Sequence, residues 1–247
     1  MNRIKDYRQL NDNIVKWIGD YVLENPSIKS LVVGVSGGID SAVVSTLAAS
    51  TGLPTYVLGM PIHQKEEQET LSDAHLEWLE NNFSNVIVQK FDLSRVFDTF
   101  QFTMREFGAD KLALANSRSR LRMVTLYQVA GTVGGIVVGT GNKVEDYGVG
   151  FYTKYGDGGV DIAPIADLYK TEVWELGRHL GVDQRIINAQ PTDGLWDDGR
   201  TDEDQLGVPY SALEEAMEYR TGPGVEILEK FNKQNSHKMN PIPTFKL

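Results

Sequence analysis

Apolar positions along the chain recur with two different spacings. Over residues 4–22 they follow helical spacing, and Pro26 ends this predicted amphipathic helix. Further along, short apolar runs predict strands at residues 31–35, 55–58, 85–89 and 135–138. Longer segments with helical periodicity follow or separate them, at residues 42–49, 65–82, 93–107 and 111–130. This alternation predicts an α/β fold, with a doubly wound parallel sheet and helices on both faces.

Beyond residue 139 the pattern changes to glycine, amide and charged side chains. Residues 139–148 and 154–159 form predicted long loops, which in compact domains usually carry function. Helices are predicted at 171–180, 209–220 and 225–235, and the acidic stretch 197–204 is predicted to be mobile because it has little to pack. No linker divides the chain, so we expect one domain over residues 1–247 with a small helical C-terminal extension.

Composition narrows the classes of protein. Hydrophobic residues make up 41% and charged residues 23% of the 247 positions, which favours a soluble globular protein. The net charge of −10 argues against nucleic acid as a partner. No apolar run reaches the roughly 20 residues of a membrane span, and no secretory signal is visible, so no membrane partner and a cytoplasmic location are expected. The absence of cysteine excludes disulfides, zinc–thiolate sites and thiol nucleophiles.

The segment Ser36-Gly-Gly-Ile-Asp-Ser41 lies between the first predicted strand and the helix that follows it. Its two glycines allow a tight turn whose N–H groups, together with the helix dipole, favour an anion such as phosphate. The segment lacks the lysine and spacing of a Walker loop and the third glycine of a dinucleotide-binding turn. Asp40 beside this turn favours a magnesium ion between carboxylate and phosphate. The alternative without function is a Gly-Gly turn capped by Ser36 and Asp40.

A doubly wound sheet binds ligands where its strand order reverses. With the order 3-2-1-4-5, this point lies between the first and fourth strands, and the loops 36–41 and 139–146 face each other there. Glu145, which by itself would be interpreted as a surface carboxylate, then becomes a candidate to share magnesium with Asp40.

The loop of residues 36–41 resembles the pyrophosphate-binding loop of the N-type ATP pyrophosphatases. Further segments, in the same order and with compatible spacing over almost the whole chain, resemble the motifs of ammonia-dependent NAD synthetase. These segments are residues 116–123, Gly139-Thr140 with Glu145, residues 151–161, residues 164–171, Pro191-Thr192 and His237-Lys238. The resemblance implies an adenine nucleotide alpha-hydrolase-like, Rossmann-like sheet.

The resemblance also implies an activity and a set of site residues. The implied activity is ATP-dependent amidation of deamido-NAD with free ammonia, giving NAD, AMP and pyrophosphate through an adenylated intermediate. Asp40 and Glu145 would hold Mg²⁺, and both are expected to be catalytic together with Lys170. The expected ATP contacts are Gly34, Val35, Ser36, Gly37, Gly38, Ile39, Asp40, Ser41, Thr140, Lys170 and Thr192. The expected deamido-NAD contacts are Arg120, Lys154, Asp161, His237 and Lys238. Members of the family form homodimers, with deamido-NAD near the subunit interface.

Several charged residues keep alternative interpretations. His237 is either a substrate contact or a surface histidine in a frayed tail, and Lys143 is either a phosphate contact or solvated. Arg118 and Arg122 are predicted to be helix-surface charges. His63 is predicted to line the adenine side of the crevice, and two further histidines are predicted to be surface positions, His75 and His179.

Two other functions remain to be weighed. A tRNA-modifying enzyme of the same superfamily would need a basic surface, which this composition does not offer. A regulatory ATP-binding module without turnover would have no need for Lys154, Asp161 and Lys170. The chain has no cysteine nucleophile to release ammonia from glutamine, so no glutaminase domain is expected in it and free ammonia is the expected nitrogen source.

Overall fold

A computed structural model describes residues 3–108, 110–192 and 201–246. Its centre is a parallel sheet of β1 (Ser30–Gly34), β2 (Thr55–Gly59), β3 (Val86–Lys90) and β4 (Gly135–Val137). The strand order is β3-β2-β1-β4, which confirms the predicted order for these strands and puts its reversal at β1 and β4.

Beside β4, where a fifth strand was expected, the structure has a different arrangement. Within the described ranges only an isolated bridge between Val138 and Ile162 extends the sheet beyond β4. The side chain of Asp161 accepts a hydrogen bond from the Val137 N–H at 2.7 Å. A carboxylate thus takes a backbone donor that a neighbouring strand would otherwise use, so the pairing stops after one bridge.

Helices connect and cover the strands. They are α1 (Tyr7–Glu24), α2 (Ile39–Ser50), α3 (Glu66–Asn82), α4 (Ser94–Met104), α5 (Lys111–Val133), α6 (Lys170–Leu180), α7 (Gln184–Asn188), α8 (Asp202–Leu206), α9 (Tyr210–Tyr219) and α10 (Val225–Met239). Those expected from the sequence lie close to their predicted bounds, and the short helices α7 and α8 are additional. A short 3₁₀ turn follows α4, and a π-helical turn spans Val144–Val149. The N-terminus of α5 is capped by Asp110, and its C-terminus ends at the left-handed Gly134.

Both faces of the sheet are covered. Along β1 successive side chains point to opposite faces, so Leu31 and Val33 pack with α1, α2 and α6. Val32, between them, packs in a second cluster with side chains of α4 and α5. The predicted doubly wound arrangement, with helices on both faces, is therefore confirmed.

The C-terminal helices form a smaller core of their own against the π-helical turn. Val144, Tyr169, Tyr210, Leu213 and Leu228 are among its buried side chains. Asp40 and Glu145 lie where this smaller core meets the sheet, which gives the helical extension a direct role in building the site.

The predicted mobility of the acidic stretch is wrong for residues 201–204. Thr201 and Asp204 form a reciprocal capping box that begins α8, and Asp202 is only 5% exposed. Residues 197–200 lie outside the described residues. The capping hydrogen bonds and the burial of Asp202 supply the packing that the composition did not reveal.

Of the helices in the described ranges, none combines the length and apolar character needed to cross a bilayer. The cytoplasmic location expected from the sequence stays a prediction.

Candidate active site

The glycine-rich loop between β1 and α2 holds its shape through its own side chains. Gly37 adopts φ of 87°, and a Cβ there would lie 2.7 Å from the backbone oxygen of Gln68. The Ser41 hydroxyl lies 2.9 Å from the Gly38 carbonyl oxygen and 3.1 Å from the Ser36 hydroxyl. Only glycine fits at residue 37, and the loop presents backbone N–H groups at the N-terminus of α2.

The other residues of the predicted ATP-binding segment serve the sheet and the core. The Val35 N–H donates to the Leu58 carbonyl at 2.9 Å, and Ile39 is 4% exposed within the core. A Cβ on Gly34 would lie 3.2 Å from the Met60 side chain. The Val35 carbonyl oxygen also accepts a hydrogen bond from the Ser72 hydroxyl at 2.8 Å, so the backbone of Val35 is already paired, and the ATP contacts predicted for these residues stay predictions.

Three predicted catalytic residues converge at the point where the strand order reverses. Lys170 is the first residue of α6, and its ammonium nitrogen lies 2.5 Å from Asp40 Oδ2 and 3.1 Å from Glu145 Oε1. Lys170 is only 2% exposed. Burial opposes its charge, but the carboxylates of Asp40 and Glu145 outweigh that effect and raise the pKa of Lys170. We name Asp40, Glu145 and Lys170 the carboxylate–lysine cluster.

Asn142, which sequence reasoning missed, connects the two loops of the cluster. Its amide nitrogen donates to Asp40 Oδ1 at 3.3 Å. Its amide oxygen accepts from the backbone N–H groups of Val144 and Glu145, at 3.1 and 3.2 Å. An amide three residues before Glu145 is the signal that could have indicated this local turn.

Tyr210, also missed, closes the cluster from the C-terminal extension. Its hydroxyl lies 2.7 Å from Glu145 Oε1 and 3.1 Å from Asp202 Oδ2, and the side chain is 1% exposed. Lys170 Nζ lies 4.9 Å from the centre of its ring. Burial and the nearby carboxylates raise the pKa of Tyr210 far above its ordinary value, so the phenol stays neutral and donates.

Asp146 adds a further carboxyl group beside the cluster. Burial, reinforced by the charge of Glu145, raises the pKa of Asp146 to about 7. A Cβ at Gly141 would collide with this carboxylate, so glycine at that position leaves room for it.

Of the predicted deamido-NAD residues, Arg120, Asp161 and His237 are exposed and Lys154 and Lys238 are half-buried. Arg120 is exposed on α5 and donates to the Lys154 carbonyl oxygen at 3.2 Å. Both oxygens of Asp161 already accept hydrogen bonds, at 2.7 Å from the Val137 N–H and at 3.0 Å from the Tyr127 hydroxyl. The structure thus brings Arg120 to the Lys154 backbone and gives Asp161 a role in holding β4.

The two residues of the predicted pair His237-Lys238 have different surroundings. Lys238 Nζ donates to the Tyr152 carbonyl oxygen at 2.6 Å, and the Tyr152 hydroxyl donates to the Lys238 carbonyl oxygen at 2.9 Å. His237, on the same last turn of α10, is exposed and makes no hydrogen bond or ion pair with the residues that the structure describes. Helix α10 extends through both residues, so this part of the chain is not a frayed tail.

The two predicted threonine contacts are half-buried. Thr140 follows β4 at the cluster's edge of the sheet. Next to Thr192, the Pro191 carbonyl oxygen accepts a hydrogen bond from the Asp202 N–H at 2.9 Å, which puts this segment beside α8. The roles of both threonines stay predictions.

Three of the charged residues that the sequence assigned to the surface are engaged in the fold. Arg122 donates to the Met60 carbonyl oxygen and to Gln64 Oε1, both at 3.0 Å, and the guanidinium of Arg118 lies 4.8 Å from the centre of the Phe97 ring. The surface prediction is therefore wrong for both arginines. A helix-surface interpretation ignores side chains from neighbouring elements, and α5 packs against α4 and the loop after β2.

The surface prediction is also wrong for His75. Its side chain is 2% exposed, Nε2 lies 3.0 Å from the Ser45 hydroxyl, and the ring stacks on Trp78. Burial lowers the pKa of His75 to about 4. His179 is exposed as predicted.

Two remaining alternatives concern residues that form ion pairs. His63 is exposed, and its Nε2 lies 2.6 Å from Asp98 Oδ1. Lys143 Nζ lies 2.7 Å from Asp167 Oδ1 and faces the ring of Tyr169. The adenine role of His63 stays a prediction. Lys143 is held by the carboxylate of Asp167 and is therefore not freely solvated, and its contact with a phosphate also stays a prediction.

The donor set of the cluster is suited to a hard cation. In the described part of the chain, no group of three or more His, Asp or Glu residues could hold a metal. Two carboxylates nevertheless converge on one ammonium group. Magnesium is commonly held by one or two carboxylates, with substrate phosphates and water completing its shell. Asp40 and Glu145 therefore fit a magnesium ion bound together with a phosphate ligand.

Comparisons with known proteins bear on the whole chain. The family model described as NAD synthase matches residues 10–242. The NH(3)-dependent NAD(+) synthetase of Alkaliphilus oremlandii is 36% identical over 252 residues, covering 96% of each chain. The NMN synthetase of Francisella tularensis has a TM-score of 0.91 and 32% identity, covering 99% of this chain and 100% of that one. The NH3-dependent NAD synthetase of Campylobacter jejuni, at 24% identity and a TM-score of 0.79, covers 98% and 100% and shows the same fold. The chain belongs to the NAD synthase family.

Proposed function

We propose that the carboxylate–lysine cluster is the adenylation centre of an ATP-dependent amidation of deamido-NAD with ammonia. The chain is a ligase of the NAD synthase family, and the reaction gives NAD, AMP and pyrophosphate. The observation that carries the residue assignment is the convergence of Lys170, Asp40 and Glu145 beside the glycine-rich loop. These groups are suited to the charges of a nucleoside triphosphate.

The first step joins the two substrates. The nicotinate carboxylate attacks the α-phosphorus of ATP, a new P–O bond forms, and the bond to pyrophosphate breaks. Backbone N–H groups of Gly37 and Gly38 and the N-terminus of α2 hold the phosphates. Lys170 neutralises the negative charge that develops on the departing pyrophosphate. Asp40 and Glu145 would hold Mg²⁺, which would supply additional positive charge at the phosphates.

In the second step ammonia attacks the activated carbonyl carbon and a new C–N bond forms. The C–O bond to AMP breaks, AMP leaves with its bonding electrons, and the nitrogen loses one proton to solvent. The chain orients the adenylate and separates it from water, and no covalent enzyme intermediate is needed. Arg120 and Lys154 are assigned to the anionic groups of deamido-NAD, because guanidinium and ammonium groups recognise phosphate and carboxylate.

The direct test supplies the pure chain with ATP, Mg²⁺, ammonium chloride and deamido-NAD, and measures NAD and AMP. NAD and AMP should form in equal amounts. Formation of ADP in place of AMP, or product formation without deamido-NAD, would contradict the assignment. In the same assay, ammonia-free glutamine should support only trace synthesis, because no cysteine is present to attack the amide.

A second candidate substrate is the mononucleotide acid, nicotinate mononucleotide. It is favoured by the structural likeness to the NMN synthetase of Francisella tularensis, which has a TM-score of 0.91 compared with 0.79 for the Campylobacter jejuni NAD synthetase. The chemistry at the carboxylate is the same, so only the recognition of the distant adenylate half differs. The ratio of kcat/KM for the two acids decides between them: deamido-NAD is the substrate if the ratio favours it, and the mononucleotide if the ratio is reversed.

We also propose a homodimer that uses the outer faces of α4 and α5. On α4, Val96, Phe100 and Met104 recur at a spacing of four residues, and they are 52%, 42% and 40% exposed. Phe107, in the following turn, is 93% exposed, and Val124 on α5 is 65% exposed. A second copy would remove these apolar side chains from water beside Arg120. Sedimentation equilibrium should give twice the monomer mass, and a monomer at micromolar concentration would contradict the proposal.

A further inference from the structure

The two carboxylate oxygens of Glu145 have different surroundings. Oε1 receives the Tyr210 hydroxyl at 2.7 Å and the Lys170 ammonium at 3.1 Å. Oε2 accepts no hydrogen bond from the residues that the structure describes. Two donors from different helices thus hold one oxygen, and this fixes the carboxylate plane and leaves the other oxygen available.

We propose that Tyr210 is a positioning residue for metal binding: its hydroxyl holds Glu145 Oε1 and thereby keeps Oε2 turned to the cation. This inference rests on the proposed function, in which Asp40 and Glu145 hold Mg²⁺. Groups that orient a metal ligand commonly determine metal affinity as strongly as some ligands do. Tyr210 touches neither substrate nor metal in this arrangement and acts only through Glu145.

The hydroxyl geometry selects Glu145 over its other neighbour. A phenol has one proton to donate, and the two candidate acceptors are Glu145 Oε1 at 2.7 Å and Asp202 Oδ2 at 3.1 Å. The shorter distance is typical of an O–H donor to a carboxylate, whereas 3.1 Å is long for such a bond. Asp202 therefore flanks the hydroxyl, and Glu145 receives its proton.

Tyr210 is itself held firmly. Its backbone N–H donates to Glu203 Oε1 at 3.0 Å, and its side chain is 1% exposed within the smaller core. Its ring faces the Lys170 ammonium at 4.9 Å, which adds a cation–π contact to the same arrangement. The Tyr210 hydroxyl thereby connects the start of α9 and the acidic helix α8 to Glu145, the candidate metal ligand.

The chain offers a matched control in Tyr169. Tyr169 belongs to the same smaller core, is 2% exposed, and donates its hydroxyl to Glu218 Oε2 at 2.9 Å. Glu218 is exposed and is not part of the carboxylate–lysine cluster. Tyr169→Phe therefore removes a similar phenol–carboxylate hydrogen bond from the same core without touching Glu145.

The experiment compares Mn²⁺ affinity in the wild type, Tyr210→Phe and Tyr169→Phe. Mn²⁺ is titrated calorimetrically into the full chain with α,β-methylene ATP present, and the Mg²⁺ dependence of the initial rate is measured in parallel. In Tyr210→Phe the affinity should fall about 10-fold, with an equal rise in the apparent Mg²⁺ constant and recovery of kcat at saturating Mg²⁺. Tyr169→Phe should bind Mn²⁺ as the wild type does. Wild-type affinity in Tyr210→Phe, an equal loss in both variants, or no Mn²⁺ binding by the wild type would each overturn the proposal.

A double variant tests whether Tyr210 acts through Glu145. In the Glu145→Gln background, adding Tyr210→Phe should cause no further loss of Mn²⁺ affinity. An additional loss of the same size as in the single variant would show that the hydroxyl acts elsewhere, and would overturn the proposal. Failure of the proposed function has a different signature: the wild type then binds Mn²⁺ with the nucleotide analogue but forms no AMP from ATP and deamido-NAD.

Discussion

The carboxylate–lysine cluster and the surface around Arg120 and Lys154 are built in opposite ways. The cluster lies in the interior, with Lys170 only 2% exposed and its charge matched by carboxylates from two other segments. Arg120 is exposed, and its hydrogen bond is to the Lys154 backbone oxygen rather than to an acidic side chain. Groups assigned to the phosphate chemistry are thus fixed by the fold before any ligand binds, whereas groups assigned to the second substrate lie on open surface.

This difference explains why the choice between a mononucleotide and a dinucleotide acid is not decided by the cluster. The cluster would meet ATP and the nicotinate carboxylate, which are common to both reactions. Discrimination requires contacts with the remainder of the substrate, and we assign these to the exposed surface of α5 and to a second copy of the chain. Substitutions in the cluster and substitutions on the exposed surface are therefore expected to have different effects.

The largest effect is expected from the carboxylates. Asp40→Asn and Glu145→Gln should each lower kcat/KM by at least about 100-fold, because each removes a charged oxygen ligand from the phosphate site. Far-UV circular dichroism should stay that of the wild type, because asparagine and glutamine have nearly the same size as the carboxylates and can still form hydrogen bonds. Near-normal turnover of either variant at saturating Mg²⁺ would show that the altered residue is not part of the phosphate site. The difference drawn between the cluster and the exposed surface would then be smaller.

The next effect concerns the buried lysine. In Lys170→Met, Asp40 and Glu145 lose their shared counter-ion, so the free energy of unfolding in EDTA should fall by about 3 kcal/mol. Urea denaturation measures this loss, and added Mg²⁺ should recover part of it by restoring positive charge between the carboxylates. An exposed lysine, Lys230 on α10, provides the control, and Lys230→Met should change stability little. If Lys170→Met and Lys230→Met were equally stable, the claim that Lys170 balances the charges of Asp40 and Glu145 before a ligand binds would be wrong.

Smaller effects are expected on the open surface. Arg120→Ala should raise KM for the nicotinate substrate by about 10-fold to 100-fold, the range for one charge-assisted contact, with KM for ATP unchanged. Steady-state kinetics with each substrate varied in turn makes this measurement. Arg8→Ala, at an exposed position on α1, is the control for a general loss of positive charge. If Arg120→Ala raised only KM for ATP, the assignment of the two regions would be reversed.

The last effect depends on pH and tests the support behind α2, which carries Asp40. Because burial lowers the pKa of His75 to about 4 from 6.5, the unfolded chain takes up a proton first as the pH falls. The contribution of His75 to the free energy of unfolding should therefore be constant above pH 6.5 and then decline towards pH 4 by at most about 3 kcal/mol, whereas the raised pKa of Asp146 contributes with the opposite sign in this range. His75→Gln should flatten this decline in chemical denaturation, whereas His179→Gln, at an exposed position, should not. A decline that persists unchanged in His75→Gln would assign it to carboxylates instead.

Much of the fold followed from local patterns in the sequence. The strands needed only apolar runs between turn-forming residues, and the alternation of strand and helix predicted a doubly wound parallel sheet. The order 3-2-1-4-5 is a premise compatible with such a sheet, and the structure does place β4 beside β1. From that order alone, Asp40 and Glu145 were expected to face each other although they lie 105 positions apart, and Lys170 contacts both. This inference succeeded because the carboxyl ends of parallel strands share one edge of the sheet. The family resemblance implied only that Lys170 contacts ATP, and its pairing with both carboxylates was revealed by the structure.

The sequence by itself determined the glycine-rich loop, because a tight turn at Gly37 depends on backbone stereochemistry that is local to a few residues. The tertiary structure decided the partners of the charged groups. Tyr210 meets Glu145 across 65 positions only because α9 packs on the π-helical turn, and Asn142 reaches Asp40 only because β1 and β4 are neighbours. His75 meets Ser45 only because α3 packs against α2, whereas its stacking on Trp78 is a contact between residues three apart on the same helix. Backbone conformation is set by near neighbours in the chain, whereas burial and hydrogen-bond partners depend on which elements pack together.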